Sequence, residues 1–293
     1  MSDQPIWCVM PAVSNPDMTE AAIADLLAQS VPTRVLLILQ GVTGPFRQRM
    51  EAIAEQEPRL LVWSHDPALP SLSATWNRAL KFVWETGGTE ALVVNNDVKL
   101  NSGTVSWLNK VLHREQALFV TAVGVTAEQF SYETTYDYYS FWDAHSDKEN
   151  AGFLLHRGGP DFSCFLISRA CHEKYQFDEA IVPCFSEDLD YHRRLMLGGD
   201  GDRIFSINLP YLHIGGGSQT LKSMSPEARA ARERQIDGAR AYYTRKWGGG
   251  VNQERWTIPF EPMSDQAGVT TPDLQRAIQG AQDVPADPPP VPF

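Results

Sequence analysis

The chain of 293 residues is short of several features that would mark particular classes of protein. It has no stretch of about 18 or more consecutive apolar residues, so no membrane-spanning helix is expected. Its first residues, MSDQPIWCVMPAVSNPDMTE, lack a basic segment followed by an apolar core, so no secretory leader is expected. Only four cysteines occur (Cys8, Cys164, Cys171, Cys184), and none forms a CxxC pair. That pattern excludes a zinc framework and a disulfide scaffold, and it suits reduced, mostly buried thiols in a cytoplasmic protein. Basic residues are few: 25 Lys and Arg stand against 36 Asp and Glu, a net charge of −11. No general electrostatic footprint for nucleic acid or an anionic membrane results, although a local basic groove stays compatible. Neither GxGxxG nor GxxxxGK[ST] occurs, so neither a dinucleotide fingerprint nor a P-loop is signalled. No internal repeat is found. What is present is 43% hydrophobic and 21% charged residues, the balance of a globular chain.

The N-terminal half alternates between two periods. Short apolar runs at 6–10 (ended by Pro11), 35–39, 60–63, 91–94 and 117–125 read as buried strands. Between them lie helical patterns: one capped by Thr19, one over FRQRMEAIAEQE, one over SATWNRALKFVWE, and one over about 103–114. Strands separated by helices of about 10–15 residues imply βαβ units, and hence an α/β fold with a mainly parallel sheet. In such sheets ligands bind beyond the carboxyl ends of the strands. Ser14, Gln40, Asp66, Asn95, Asn96 and Asp97 occupy those positions. Residues 126–162 are rich in Tyr, Phe, Trp and Asp, and read either as an insertion packed on the sheet edge or as an aromatic wall facing a ligand. A strand at 164–168, a loop and helix through FSEDLDYHRRL, a strand ending in YLHIGGGS and a charged helix over 226–247 follow. From 261 to 293 the chain is rich in Pro and Asp and reads as a tail that adds little to the core.

Three constellations could carry chemistry. Asn95-Asn96-Asp97 follows an apolar strand; a carboxylate there can hold a hard divalent cation, and the cation a diphosphate. A polar strand end capping the next turn has the same sequence. Glu187, Asp188 and Asp190 place three carboxylates within four positions, where like charges raise one another's pKa. On a helix Glu187 and Asp190 share a face and Asp188 points elsewhere. One could serve as a general base while another pairs with Arg193 or Arg194; an acidic helix N-terminus favoured by the macrodipole is the plainer reading. His213 precedes Gly215, Gly216 and Gly217, where an imidazole can ligate a metal while backbone approaches phosphate, or can be purely structural.

Taken in order, these motifs resemble those of the GT-A glycosyltransferases, specifically the family-2-like inverting enzymes of the rhamnosyltransferase type. The resemblance spans roughly residues 5–260. Asn95-Asn96-Asp97 is similar to the family's variant of the DxD motif, and Trp76-Asn77-Arg78-Ala79 to a helix whose Asn lies near the donor pocket. The stretch from Phe162 to Glu179 resembles the family's segment ending in F-D-E. Ser186–Asp190 resembles x-E-D-x-D, His213 to Ser218 resembles H-x-g-g-g-S, and Tyr242–Gly249 resembles a Y-Y-x-x-K-W-G-G ending. The first strand ends in MPAVSNP and the second in LQGVTG, where the family shows P-T-Y/F-N and an Asp-containing turn.

The resemblance implies a GT-A domain over 1–260, with a nucleotide-sugar half over about 1–125 and an acceptor half over about 126–260. It implies an inverting, metal-dependent transferase that moves a sugar from a UDP- or dTDP-linked donor to a hydroxyl of a glycan or a modified nucleobase. Asp97 and His213 would hold Mn²⁺ or Mg²⁺. Pro11, Ala12, Gln40, Asp66, Asn77, Asn95 and Asn96 would line the donor site. Asp188 would be the base, with Glu187 beside it. Asp161, Asp190 and Lys222 would contact the acceptor or a closing loop. A silent carbohydrate-binding protein of the same fold and a sugar nucleotidyltransferase are the alternatives; the latter class has a basic, Gly-rich loop after the first strand, which MPAVSNPDMTE lacks.

Overall fold

A computed structural model describes residues 4–125, 127, 130, 162–215 and 224–261. Eight strands form one sheet: β1 (Ile6–Ala12), β2 (Thr33–Gln40), β3 (Leu60–His65), β4 (Glu90–Val94), β5 (Val98–Lys99), β6 (Phe119–Val125), β7 (Cys164–Ser168) and β8 (Ile204–His213), in the order β3-β2-β1-β4-β7-β6-β8-β5. Seven helices are described: α1 (Pro16–Leu27), α2 (Gly44–Ala54), α3 (Leu72–Glu85), α4 (Thr104–Arg114), α5 (Arg169–Lys174), α6 (Glu187–Leu197) and α7 (Pro226–Trp247). The expected α/β fold with a mostly parallel sheet is therefore present. β3, β2, β1 and β4 run parallel, and β7 is inserted antiparallel to both β4 and β6.

The strands are covered on both faces, which is why they read as unbroken apolar runs. Side chains alternate across the sheet with a period of two. On β1, Ile6, Cys8, Met10 and Ala12 join the core beneath α1, α2 and α4, while Trp7 and Val9 join the core beneath α3. Val35, Leu37 and Leu39 against Leu36 and Ile38 repeat the division on β2. The second core is aromatic: Phe177 stacks on Tyr191 with ring centroids 4.1 Å apart, and Phe162, the last residue of the aromatic stretch, packs against Phe119, Phe165 and Trp76.

Two local expectations are corrected. Pro11 does not end β1, which continues to Ala12. Pairing with β4 stops at Val9, so beyond it β1 has only β2 as a neighbour and a residue without an N–H is tolerated. α1 begins three residues before Thr19, with Pro16 in its first turn and Asn15, in the left-handed region at φ 65°, as its N-cap. Thr19 is instead a buried helical residue whose hydroxyl donates to the Asn15 carbonyl at 2.9 Å. The four cysteines are unpaired, and Cys8, Cys164 and Cys171 are buried, as expected. No described helix is long and apolar enough to cross a membrane. The aromatic stretch up to 161, with Asp161, lies outside the described residues apart from 127 and 130, as do Lys222 and the tail from 262.

Candidate active site

Chain order and spatial order part company at β1. From there the chain first builds outward through β2 and β3, then returns to place β4 on the other side of β1. The crevice beyond the carboxyl ends of β1 and β4 is the topological switch point where open α/β sheets bind ligands. Asn95, Asn96 and Asp97 leave β4 at this crevice. The Asn96 side-chain nitrogen crosses it, donating to the Ser14 carbonyl at 2.8 Å and to the Thr19 hydroxyl at 2.9 Å. That amide therefore ties the turn to the loop after β1. The Asn95 backbone N–H donates to the Ser163 carbonyl at 2.9 Å. Pro11 and Ala12 are buried, so a ligand at the end of β1 would meet backbone there.

The turn is short because β5 starts immediately after it. β5 pairs antiparallel with the end of β8, with Val98 opposite His213 and the Ile214 N–H donating to the Asp97 carbonyl at 2.8 Å. This register brings His213 Nε2 to 3.4 Å from Asp97 Oδ2. The Asp97 side chain is 10% exposed and that of His213 38%, so the pair is held from below and reachable from one side. A carboxylate oxygen and an imidazole nitrogen are a fitting donor set for manganese, and a carboxylate suits magnesium. Among the described residues no third His, Cys, Asp or Glu completes a cluster with them. Such a cation would take its remaining ligands from phosphate oxygens and water.

Gln40 ends β2, and its register partner on β3 is His65. Gln40 Oε1 accepts from the Leu69 N–H at 2.8 Å, fastening the loop after β3. Gln40 Nε2 and His65 Nε2 are both buried, and among the described residues neither has a hydrogen-bond partner. Burial, followed by the nearby Arg78 guanidinium, holds the His65 imidazole below its ordinary pKa. Two unsatisfied polar atoms on register-paired residues at the ends of neighbouring strands are uncommon, since buried polar groups are usually paired. Asp66, the next residue, is exposed.

A further group of carboxyls stands at the start of α6, where the preceding loop is joined to the start of α3 by the Leu72 N–H donating to the Pro183 carbonyl at 2.8 Å. Phe185 and Ser186 both have φ 78°, a left-handed conformation that non-glycine residues adopt at a cost of about 1–3 kcal/mol each. This strained pair turns the chain into α6, on which Glu187 is buried and Asp188 is half-buried. Glu187 is buried, its Oε2 has no partner among the described residues, and burial, then the Asp188 charge, pushes its carboxyl up to about 7. Asp188 is half-buried, and its Oδ1 accepts from the Leu189 N–H at 2.8 Å. Glu179 is a second perturbed carboxyl, also pushed up to about 7 by burial.

Two expected site residues are placed elsewhere. Asn77 was expected to face the donor, yet its amide is consumed inside the protein. Its nitrogen donates to the Phe177 carbonyl and to Glu179 Oε1, and its oxygen accepts from the Phe177 N–H and lies 3.1 Å from His172 Nε2. It clasps α3 to the 177–179 segment. Asp190 was expected at the acceptor or a closing loop; it is fully buried and so has no direct contact with an acceptor. Trp247 Nε1 and Lys246 Nζ bond its Oδ1, and Arg194 Nε bonds its Oδ2. Burial alone would raise its pKa, but Lys246 and Arg194 together outweigh burial and hold it low.

No family model matches this sequence, and no curated protein matches it. Solved structures do. A mannosyltransferase from Pyrobaculum calidifontis, in complex with GDP-Man and Mn²⁺, is similar at 13% identity and a TM-score of 0.54, over 74% of this chain and 60% of that one. The chain thus spans less than two thirds of that protein. S. aureus TarS (residues 1–349) is similar at 12% identity and a TM-score of 0.53, over 84% and 74% of the two chains. Glucosyl-3-phosphoglycerate synthase from Mycobacterium tuberculosis, in complex with Mn²⁺, UDP-Glc and phosphoglyceric acid, is similar at 17% identity and 0.51, over 80% and 78%. The fold is GT-A.

Three residues of the described structure have roles that the sequence alone does not assign. His65 had a usable signal, standing at a strand end directly before Asp66. Glu179 was quoted within a motif, but nothing in its type announces burial. Lys246 sits on the stripe Ala239, Tyr242, Tyr243, Lys246, Trp247, whose spacing marks one buried helix face.

Proposed function

We propose that this chain is a glycosyltransferase that moves a sugar from a nucleoside-diphosphate donor to an acceptor hydroxyl, with inversion at the anomeric carbon. The observation that carries this reading is the meeting of Asp97 and His213, 116 positions apart in sequence, at 3.4 Å beside the sheet's switch point. In this reading Asp97 and His213 hold Mn²⁺ or Mg²⁺, which when bound neutralises the charge that develops on the leaving diphosphate. Donors or Mn²⁺ in the solved relatives named above support the same assignment. In this reading the donor is UDP- or dTDP-linked, and Gln40 Nε2 and His65 Nε2 offer a donor and an imidazole nitrogen that a uracil or thymine edge can pair with.

Asp188, half-buried in the first turn of α6, takes the proton from the attacking hydroxyl. Glu187, neutral up to about pH 7, sits beside it without adding a second negative charge. Inversion follows from attack on the face opposite the diphosphate. Asp161 and Lys222 are proposed acceptor-side contacts, and a glycan or a modified nucleobase is the acceptor class. Asp188→Asn keeps the side chain's shape and removes its basic oxygen. Transfer should fall on the order of 10²–10⁴-fold with the donor dissociation constant unchanged. Normal transfer by this variant would remove Asp188 from the role, and lost donor binding would place it in the donor site.

A further inference from the structure

Lys246 lies in the last turn of α7, in a helix otherwise rich in exposed charge, yet its side chain is wholly buried. Its Nζ stands 2.6 Å from Asp178 Oδ2 and 2.6 Å from Asp190 Oδ1. The Tyr242 hydroxyl donates to Asp178 Oδ2 at 2.9 Å, Trp247 Nε1 to Asp190 Oδ1 at 2.9 Å, and Arg194 Nε to Asp190 Oδ2 at 2.8 Å. Two carboxylates and two cations make a neutral, largely buried cluster. Such clusters are poor sources of stability, because well-packed apolar residues often serve as well or better. What the cluster does supply is fixed distance between three segments.

Those segments are the ones that matter for the proposed reaction. Asp178 directly precedes Glu179 and belongs to the stretch that Asn77 clasps to α3. Asp190 lies one turn beyond Glu187, and its N–H closes that turn on the Ser186 carbonyl at 2.9 Å. A single ammonium group therefore sets the first turn of α6, with Glu187 and Asp188 on it, against the 177–179 segment. We propose that Lys246 is a positioning residue of the transfer reaction, holding the α6 carboxylates at the crevice through its paired contacts with Asp190 and Asp178. This inference rests on the function proposed above.

The test compares Lys246→Met with the charge-balanced double variant Asp178→Asn/Lys246→Met. The single variant strands a buried carboxylate and should lose both melting temperature and rate. The double variant removes one charge of each sign, so its melting temperature should return to within about 2 °C of wild type. Its turnover should nevertheless stay down on the order of 10²-fold, the cost of misplacing a reacting group by about 1 Å. Turnover is read as nucleoside diphosphate released from UDP-glucose, UDP-GlcNAc, a dTDP-linked sugar or GDP-mannose, whichever the wild type uses. Binding of the matching free diphosphate with Mn²⁺ should change less than about twofold, because that site lies on other strands.

Recovery of rate together with melting temperature would reduce Lys246 to a structural support and overturn the proposal. A parallel loss of diphosphate affinity would overturn it too, by moving Lys246's influence to the donor side. If the wild type turns over none of these donors, the proposed function fails, and amide exchange decides this inference separately. Peptides covering residues 186–191 should then exchange about tenfold faster in the double variant, with those of β1 to β4 unchanged. Unchanged exchange at 186–191 would refute the positioning.

Discussion

Glu187→Gln is the perturbation that probes the site's electrostatics most sharply. In the folded protein this carboxyl is pushed from an ordinary value of 4.5 to about 7, first by burial and then by the neighbouring Asp188 charge. The native state thus holds the proton more tightly than the unfolded chain does. Below pH 4.5 both states are protonated and the group costs nothing. As pH rises the unfolded chain ionises first, so the native state loses relative stability until about pH 7, where the penalty is complete. A displacement from 4.5 to about 7 corresponds to about 3 kcal/mol of penalty above neutrality, and to a change of about 2.5 kcal/mol between pH 5 and pH 8. Gln has the same shape and no charge to desolvate. The variant should therefore gain about 2.5 kcal/mol on wild type as pH goes from 5 to 8, read from urea unfolding at both values with unchanged m. Glu179, His65 and His172 also titrate with displaced values, but they are common to both proteins and cancel in the comparison. An equal effect of the substitution at pH 5 and pH 8 would refute the reasoning, since it would mean that Glu187 ionises as freely in the fold as outside it.

Asn77→Ala should cost about 2–4 kcal/mol, because it strands the buried Phe177 N–H and the His172 ring nitrogen; the urea midpoint measures it, and a loss under 1 kcal/mol would contradict the clasp. Asp97→Asn should abolish Mn²⁺-dependent binding of UDP in a titration while moving the melting temperature by no more than about 2 °C, since the turn is held by the Asp97 backbone carbonyl and the Asn96 side chain. Unaltered UDP binding by this variant would take the cation away from Asp97. Gln40→Leu should weaken UDP binding about tenfold and cost about 1 kcal/mol of stability, read from the urea midpoint, because it removes a buried nitrogen that has no partner among the described residues and also the oxygen that accepts from the Leu69 N–H.

The parallel half of the sheet was legible because its strands are buried on both faces, so Val35–Leu39 and Ala91–Val94 appear as plain apolar runs between helical periods. α7 was read at its true limits, since Pro226 and Gly248 punctuate it. β5 escaped notice: two residues carry no period, and the strand exists only because β8 pairs with it. The start of α1 was misplaced because Thr19 looks like a cap, whereas its hydroxyl serves a carbonyl one turn back. At the site, the strand-end rule and the resemblance together pointed to Asp97 and His213, whose proximity depends on a long-range register. Asn77 and Asp190 are bonded within the protein, and a polar residue that fastens two segments of a core has the same sequence signature as one that faces a ligand. Lys246 shows the converse: in sequence it belongs to a charged face, and only its neighbours at three- and four-residue spacing reveal that it is enclosed.

Cation-dependent sugar transfer at the Asp97–His213 pair is decided by donor turnover under metal control. Purified protein is incubated with UDP-glucose, UDP-GlcNAc, a dTDP-linked sugar and GDP-mannose, each with a pool of hydroxyl acceptors, in Mn²⁺ or in excess chelator. Nucleoside diphosphate should be released from a UDP- or dTDP-linked donor with Mn²⁺, release should cease on chelation and return when the metal is restored, and Asp97→Ala should release none. Undiminished release in chelator, or release by Asp97→Ala at the wild-type rate, would contradict cation-dependent transfer at that pair.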